Sequence, residues 1–590
     1  MDEIQVVAAV WTPTILWAQQ QFTEFEYLSV ETSGVCLMKL RNPFKLPKLT
    51  LLLLVVSLWR VVLVDADSPI LFLDWTVSYS QRASLGVDKQ VIVINNQFPG
   101  PLLNATTNDL LNINIHNNLT EPFLITWNGL QLRKNSWQDG MQETNCPIQP
   151  DHDWTYSFQI KDQIGSFFYF PSLLLQKADG GYGAIRVNNR QLVSVPFDQP
   201  YKEYDILTGY WYNADHRDMR ASLDDGSPLS KPDGILINGL GPEQAIFYFE
   251  PGTTYRPRIS NVGLKTSLNL RIEEHIFLLV ETEGSYTLQQ YYSSLDVHVG
   301  QSYSPNIYFR YVLVTGKNQS NSGTSYCMVA SSCFIPFQLI GVGIIWYPGS
   351  QPYPITPLPV GPLPFDYSFS LAQARSIRWN LTAGAAGPNP QGSYHYGTIN
   401  ISQTLVIENG IMNNGKFRYT INGKSFVHPD TPLKLLDFFH LSVDSVPVTF
   451  PPALATSIIA VNYHDFLHLV LLNPLPHLQT WHLDGYNFFV VDMDWGMWDE
   501  SKMKQYNMID AISRSTVQVY PFSWTAILVK LDSEGLWNLR SQNAENWYLG
   551  QELYIRVKGV GKMNGSSAIS IEDEAPIPAN VIKCGRATNL

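Results

Sequence analysis

The sequence predicts an all-β chain built of three domains in tandem, and three observations carry that prediction. Apolar and polar residues alternate in VIVINNQFPGP after Gln90 and in LNINIHN from Leu111 to Asn117, the period of half-buried strands. An apolar strand ending in Ile-Asn-Asn or Ile-Asn-Gly recurs at Ile94, Ile237 and Ile421. Asn and Gly tolerate the positive φ of a tight hairpin, so one strand-and-turn unit repeats at domain-sized intervals. The 590 residues include 38 Pro and 39 Gly, enough to punctuate many short strands.

Hydrophobic residues make up 45% of the chain and aromatic residues 13%, which suits well-filled cores in about three domains of ordinary size. The formal charge is −12, and no Lys/Arg cluster in the body of the chain would track a phosphate backbone. Nucleic acid is therefore not an expected partner.

From the N-terminus, residues 1–37 show no clear period and read as an extension. From Met38 a leader follows: Lys39, Arg41, Lys45 and Lys48 are basic, Leu49 to Leu58 is apolar, and Val64-Asp65-Ala66 offers small residues for cleavage. This is the pattern of a secretory signal over about residues 38–66. A signal anchor is the alternative; Arg60 interrupts the apolar run, and spanning needs roughly 20 apolar residues. Export agrees with sequons at Asn104, Asn118, Asn318, Asn380, Asn400 and Asn564, each open to N-glycosylation. Cys146, Cys327, Cys333 and Cys584 follow the leader, an even number compatible with disulfides in an oxidising compartment. The C-terminus lacks the apolar tail of a glycolipid anchor.

Composition divides the body into residues 67–192, 193–347, a proline-rich linker at 348–365, residues 366–562 and a tail at 563–590. VSVPFDQPY, Val193 to Tyr201, marks the first boundary, and PGSQPYPITPLPVGPLP reads as an extended connector. Between Gln301 and Ser332 the strand pattern is expected to fail, with Pro305 to Tyr311 interrupting it.

Four stretches carry the chemistry: ITWNG from Ile125, FYFPS from Phe168, QTWHLDGY from Gln479, and WNLRSQNAENWYLGQ from Trp537. With SWQDG, Asn145-Cys146-Pro147, GGYGAIRV and NPQGSYHYG around them, the chain resembles the multicopper oxidases of the laccase and ascorbate oxidase type. The resemblance covers roughly Asp67 to Gly585. It implies three cupredoxin-like Greek-key β-sandwiches, with copper in the third and between the first and third.

At the family's first motif, H-W-H-G, this chain has Thr126 and Asn128 in place of the histidines. The histidines of Y-H-S-H become Phe170 and Ser172, and those of H-P-x-H-L-H-G become Gln479, His482 and Asp484. The H-C-H run with its later histidine and axial methionine becomes Arg540, Ser541, Gln542, Asn546 and Gln551. Of these twelve positions only His482 keeps a histidine. Copper is held by imidazoles and a thiolate, and Arg540 carries a permanent charge that would repel a cation beside it. The expectation is a chain without copper, with no catalytic residues and no other cofactor assigned. Asp484 and Arg540 are expected to pair where two metal ligands stand in the family.

The substitutions resemble the plant L-ascorbate oxidase homologues, the skewed-growth and pollen-type proteins. That branch implies a secreted wall glycoprotein acting in wall organisation or in directional or pollen-tube growth, with a wall polysaccharide or wall protein as partner. The alternative is an oxidoreductase with residual or altered metal chemistry. The family also implies a Cys146–Cys584 bridge; Cys327 and Cys333 stay unassigned.

Three weaker signals have plain readings. His464-Asp465-Phe466-Leu467-His468 approaches the zinc-protease motif but reads as strand, not helix. Glu273 and Glu274 would point to opposite faces of a strand. Gly559-Val560-Gly561 reads as a turn.

Overall fold

The computed structural model describes residues 6–10, 25–30, 35–40, 69–190, 193–309, 324–351, 357–381, 400–413, 415–441, 453–559 and 574–590. Met1–Pro69 and Ile70–Leu590 are separate compact units. In the first, strands Val6–Val10, Phe25–Val30 and Val35–Leu40 form an antiparallel sheet with the last strand in the middle. Sequence periodicity missed these strands because runs such as VVAAV are β-branched without alternating. The third strand runs through Met38; the rest of the expected leader lies outside the described residues.

Among the described residues of the second unit, six sheets form three successive sandwiches. The first domain has two four-stranded sheets between Ile70 and Asn188, the second a six-stranded and a five-stranded sheet between Lys202 and Trp346. The third has an eight-stranded and a five-stranded sheet between Gln403 and Lys558. Strand Ile70–Arg82 runs parallel to Leu110–Asn117, and Leu103–Thr106 parallel to Gly183–Asn188. Parallel neighbours cannot be joined by a hairpin, so the chain crosses between sheets.

The repeated Ile-Asn turn is the same device three times. Asn95, Asn238 and Asn422 have φ of 50°, 51° and 50°. In each case the Asn Oδ1 accepts from the backbone N–H of a residue on the preceding strand: Thr76 (2.8 Å), Leu207 (2.7 Å) and Glu408 (2.6 Å). Nδ2 donates two residues earlier, to the carbonyls of Asp74, Asp205 and Val406, each at 2.9 Å. The side chain thus clips the hairpin to its neighbouring strand, which explains why Asn occupies this position in every domain.

Several local expectations are corrected. Pro305 does not interrupt a strand: it lies within Ser302–Phe309, opposite Leu279, where a register shift between Leu279 and Glu281 marks a bulge. A residue without an N–H is tolerated at such a site. Glu273 and Glu274 are not in a strand but form the turn between strands Leu268–Ile272 and His275–Thr282. His464, with φ of 69°, is in the turn before strand Phe466–Asn473, and only His468 is in the strand. Its ring nitrogens meet Thr404 Oγ1 at 3.2 Å and Tyr506 Oη at 3.0 Å. The Gly559 turn runs out of the described residues at Val560.

Cys146 is disulfide-bonded to Cys584, tying the C-terminal tail to the first domain. Cys327 and Cys333 are free and buried; Cys327 lies in strand Tyr326–Ser332 and Cys333 just past its end, and extended chain of that length holds them about 20 Å apart, too far to bridge. Asn104, Asn118 and Asn400 are exposed and Asn380 is half-buried, while Asn318 and Asn564 lie outside the described residues. Among the described residues, no helix is long and apolar enough to cross a membrane.

Candidate functional site

Four strands bring the four motif stretches together. Ile125–Asn128 pairs with Gly165–Pro171, placing Thr126 opposite Phe170. In the third domain Gln479–Leu483 pairs with Gly535–Ser541, placing His482 opposite Arg540 and Trp481 opposite Ser541. His482 therefore lies within a strand, Gln479–Leu483. All five residues of its strand are buried, as in the middle of a sheet covered on both faces. The turn that follows needs glycine: Gly485 has φ of 74°, and a Cβ there would sit 2.3 Å from the Trp537 ring. Gln542 Nε2 donates to Asn128 Oδ1 at 2.6 Å, joining the third domain to the first. Asn128 Nδ2 donates to the Gly300 carbonyl of the second domain at 3.3 Å.

Six of the twelve positions form two groups. In one, His482 Nε2 lies 3.0 Å from Asp484 Oδ1 and Nδ1 lies 2.8 Å from Thr516 Oγ1. Arg540 Nη1 donates to Asp484 Oδ2 and, at 3.2 Å, to Asn538 Oδ1. His482, Asp484 and Arg540 are all buried. Burial pushes the Asp484 carboxyl up, but Arg540 and His482 outweigh it and hold it below the usual carboxylate range. Burial pulls the His482 imidazole below its ordinary value despite Asp484. The group thus contains a carboxylate, a guanidinium and a neutral imidazole.

The other group is a net of side-chain amides. Asn543 caps the short helix Ala544–Tyr548 through Oδ1 and so fixes Asn546. Asn546 Nδ2 donates to Gln551 Oε1 at 2.9 Å. Gln551 Nε2 donates to Gln479 Oε1 at 3.1 Å and to Asn409 Oδ1 at 3.4 Å. Ser541 stands where the family has its cysteine, and its Oγ accepts from the Asn543 N–H at 3.3 Å. Phe170 is buried, and the half-buried Ser172 donates to the Gly140 carbonyl at 2.5 Å.

These residues do not fit copper. The one imidazole has both nitrogens engaged, the sulfur position is a hydroxyl, and a guanidinium occupies a ligand position beside Asp484. Weak amide and hydroxyl donors, the amides already bonded to one another, cannot replace soft ligands.

Sequence reasoning missed four neighbours. Asp139, in SWQDG, is buried; burial and then the Asp484 charge push its carboxyl well above its ordinary value. Lys177 is buried with its Nζ 4.3 Å from the Phe170 ring, and burial together with Arg540 lowers its ammonium to about 7. Asn409 completes the amide net. Trp547 lies with its ring 5.0 Å from the Arg540 guanidinium. A separate cluster joins the first and second domains: His216 Nδ1 is 2.5 Å from Asp179 Oδ2, and Nε2 is 3.0 Å from Glu121 Oε1. Asp215 completes a metal-like trio with Asp179 and His216, but Lys89 Nζ, 2.8 Å from Asp179, already supplies the positive charge.

Profiles described as multicopper oxidase match residues 76–192, 202–347 and 430–560. The chain is 46% identical over 564 residues to the monocopper oxidase-like protein SKU5 of Arabidopsis thaliana, covering 91% of this chain and 93% of that protein. It is 45% identical to an L-ascorbate oxidase homolog of Brassica napus, covering 90% and 95%. The laccase of Botrytis aclada has the same fold with a TM-score of 0.68 at 20% identity, over 83% of this chain and 88% of that one. With three matched domains in three cupredoxin-like sandwiches, the chain belongs to the multicopper oxidase family.

Proposed function

We propose that this chain is a copper-free member of its family, secreted and glycosylated, that acts in the plant cell wall by binding or structure instead of by oxidation. The observation that carries this reading is the closure of the ligand positions on themselves: Asp484 with Arg540, and Gln551 with Gln479 and Asn546. An electron-transfer centre of the family kind needs a thiolate, and Ser541 supplies none. Sharing a fold with oxidases does not carry their chemistry over.

The leader pattern and the exposed sequons Asn104, Asn118 and Asn400 support export and glycosylation. The plant origin of the relatives supports a role in wall organisation or in directional or pollen-tube growth, with a wall polysaccharide or wall protein as the partner. The alternative, a metal at His482 with carboxylate neighbours, has less support because both ring nitrogens and Asp484 are already engaged.

The test uses the secreted protein. Oxygen uptake with ascorbate or a phenol as reductant is expected to stay at background. Glycosidase treatment is expected to lower its mass, and isolated plant walls to retain it. Sustained oxygen consumption would overturn the non-oxidase reading; an unglycosylated protein that washes off walls would overturn the wall reading.

A further inference from the structure

Two buried cations near the former ligand positions keep unused donors. Arg540 is 0% exposed and works through one nitrogen: Nη1 serves Asp484 and Asn538, while Nε and Nη2 meet no acceptor. Lys177, 6% exposed, feels the like charge of Arg540 and, among the described residues, no carboxylate. Its Nζ lies 4.3 Å from the Phe170 ring and 5.5 Å from Phe168.

Both cations rest on the same aromatic surface. Phe168 and Phe170 belong to one apolar cluster against which Trp547 packs, and the Arg540 guanidinium sits 5.0 Å from Trp547. Thr126, paired with Phe170 across the strands, adds a buried hydroxyl that meets no partner. The charges do not balance here. Asp484 answers Arg540, and among the described residues no carboxylate answers Lys177, while a ring face offsets only part of the desolvation of an ammonium.

We infer that the aromatic floor between the first and third domains is a binding site for a small inorganic anion of the halide class, held between Lys177 Nζ and the free nitrogens of Arg540. Thr126 Oγ1 is the third donor. The depth of burial selects a small, easily dehydrated anion over a phosphate ester or a sugar acid, because Thr126, Phe168, Phe170, Lys177 and Arg540 are all buried and only Trp547 at the edge is partly exposed. The inference rests on the copper-free reading, since copper at the neighbouring positions would supply competing positive charge.

Crystals of the full secreted protein soaked in sodium bromide test it, with anomalous data collected at the bromine edge and at the copper edge. The expected result is a bromine peak touching Lys177 Nζ and Arg540, and no copper signal. Copper at His482 would overturn the copper-free reading. A copper-free crystal with only water between Lys177 and Arg540, or with bromide at surface lysines as an adventitious ion only, would overturn the anion site alone. In solution, bromide in place of gluconate at equal ionic strength is expected to raise the wild-type Tm by about 1–2 °C. Lys177→Met is expected to abolish that rise and the surface variant Lys231→Met to keep it. An equal rise in Lys177→Met would overturn the proposal.

Discussion

Arg540 and Asp484 are bonded to each other at two positions that hold metal ligands elsewhere in the family, Nη1 donating to Oδ2 with both side chains buried. A carboxylate and a guanidinium thus balance charge where the family uses imidazoles. Removing one partner leaves the other buried and unpaired, so Asp484→Ala or Arg540→Ala should destabilise the protein by about 3–5 kcal/mol. Replacing both by apolar residues of similar volume, Asp484→Leu with Arg540→Met, should cost much less than either alanine variant. Denaturant unfolding of the three variants checks this, and unchanged stability in Asp484→Ala would contradict the role given to the pair.

Gln551 holds the amide net together because it both accepts from Asn546 and donates to Gln479. Gln551→Met introduces the family's methionine but leaves two buried amide groups short of a partner. The expected cost is about 1–3 kcal/mol, measured by the same unfolding experiment, with no blue absorbance on adding copper.

A pH response is expected at the contact between the first and third domains. His428 Nδ1 lies 2.9 Å from Glu143 and Nε2 lies 3.3 Å from Glu552. Partial loss of hydration pulls the imidazole of His428, whose side chain is 39% exposed, down, but Glu143 and Glu552 outweigh it and leave it above its ordinary value. Burial raises the Glu143 carboxyl against the pull of His428. Both groups therefore bind protons more tightly in the folded chain than in the unfolded one. Their contribution is complete at low pH, begins to fall above the ordinary carboxylate range for Glu143, and is lost as pH rises through the elevated His428 value. Stability profiles from pH 4 to 9 should fall less steeply on the alkaline side in His428→Gln than in wild type; identical slopes would contradict this.

The Cys146–Cys584 bridge closes a loop across almost the whole second unit, with a sequence separation of 438. Loops of that length restrict the unfolded chain strongly, so Cys584→Ser should lower stability by about 2–5 kcal/mol. Reducing agent should lower the wild-type melting temperature and leave that of the variant in place.

Much of this was legible because the informative residues are local. Ile94-Asn95, Ile237-Asn238 and Ile421-Asn422 announce their turns through residues that accept positive φ, and the motif stretches fix the sheet neighbours of His482 and Arg540. What was not legible depends on contacts between distant strands. Nothing beside Lys177 in sequence shows that its ammonium ends on Phe170, and nothing beside Asn409 shows that it closes an amide net with Gln551. Pro305 misled because the bulge that accommodates it lies on the partner strand, at Leu279. His464 misled because its turn interrupts what reads as one apolar run.

That the former ligand positions hold no copper is tested by the copper content of the secreted protein purified from copper-supplemented culture. Only trace copper is expected, with a melting temperature that neither a chelator nor added copper changes. Stoichiometric copper that survives purification, with a melting temperature that falls on chelation, would contradict it.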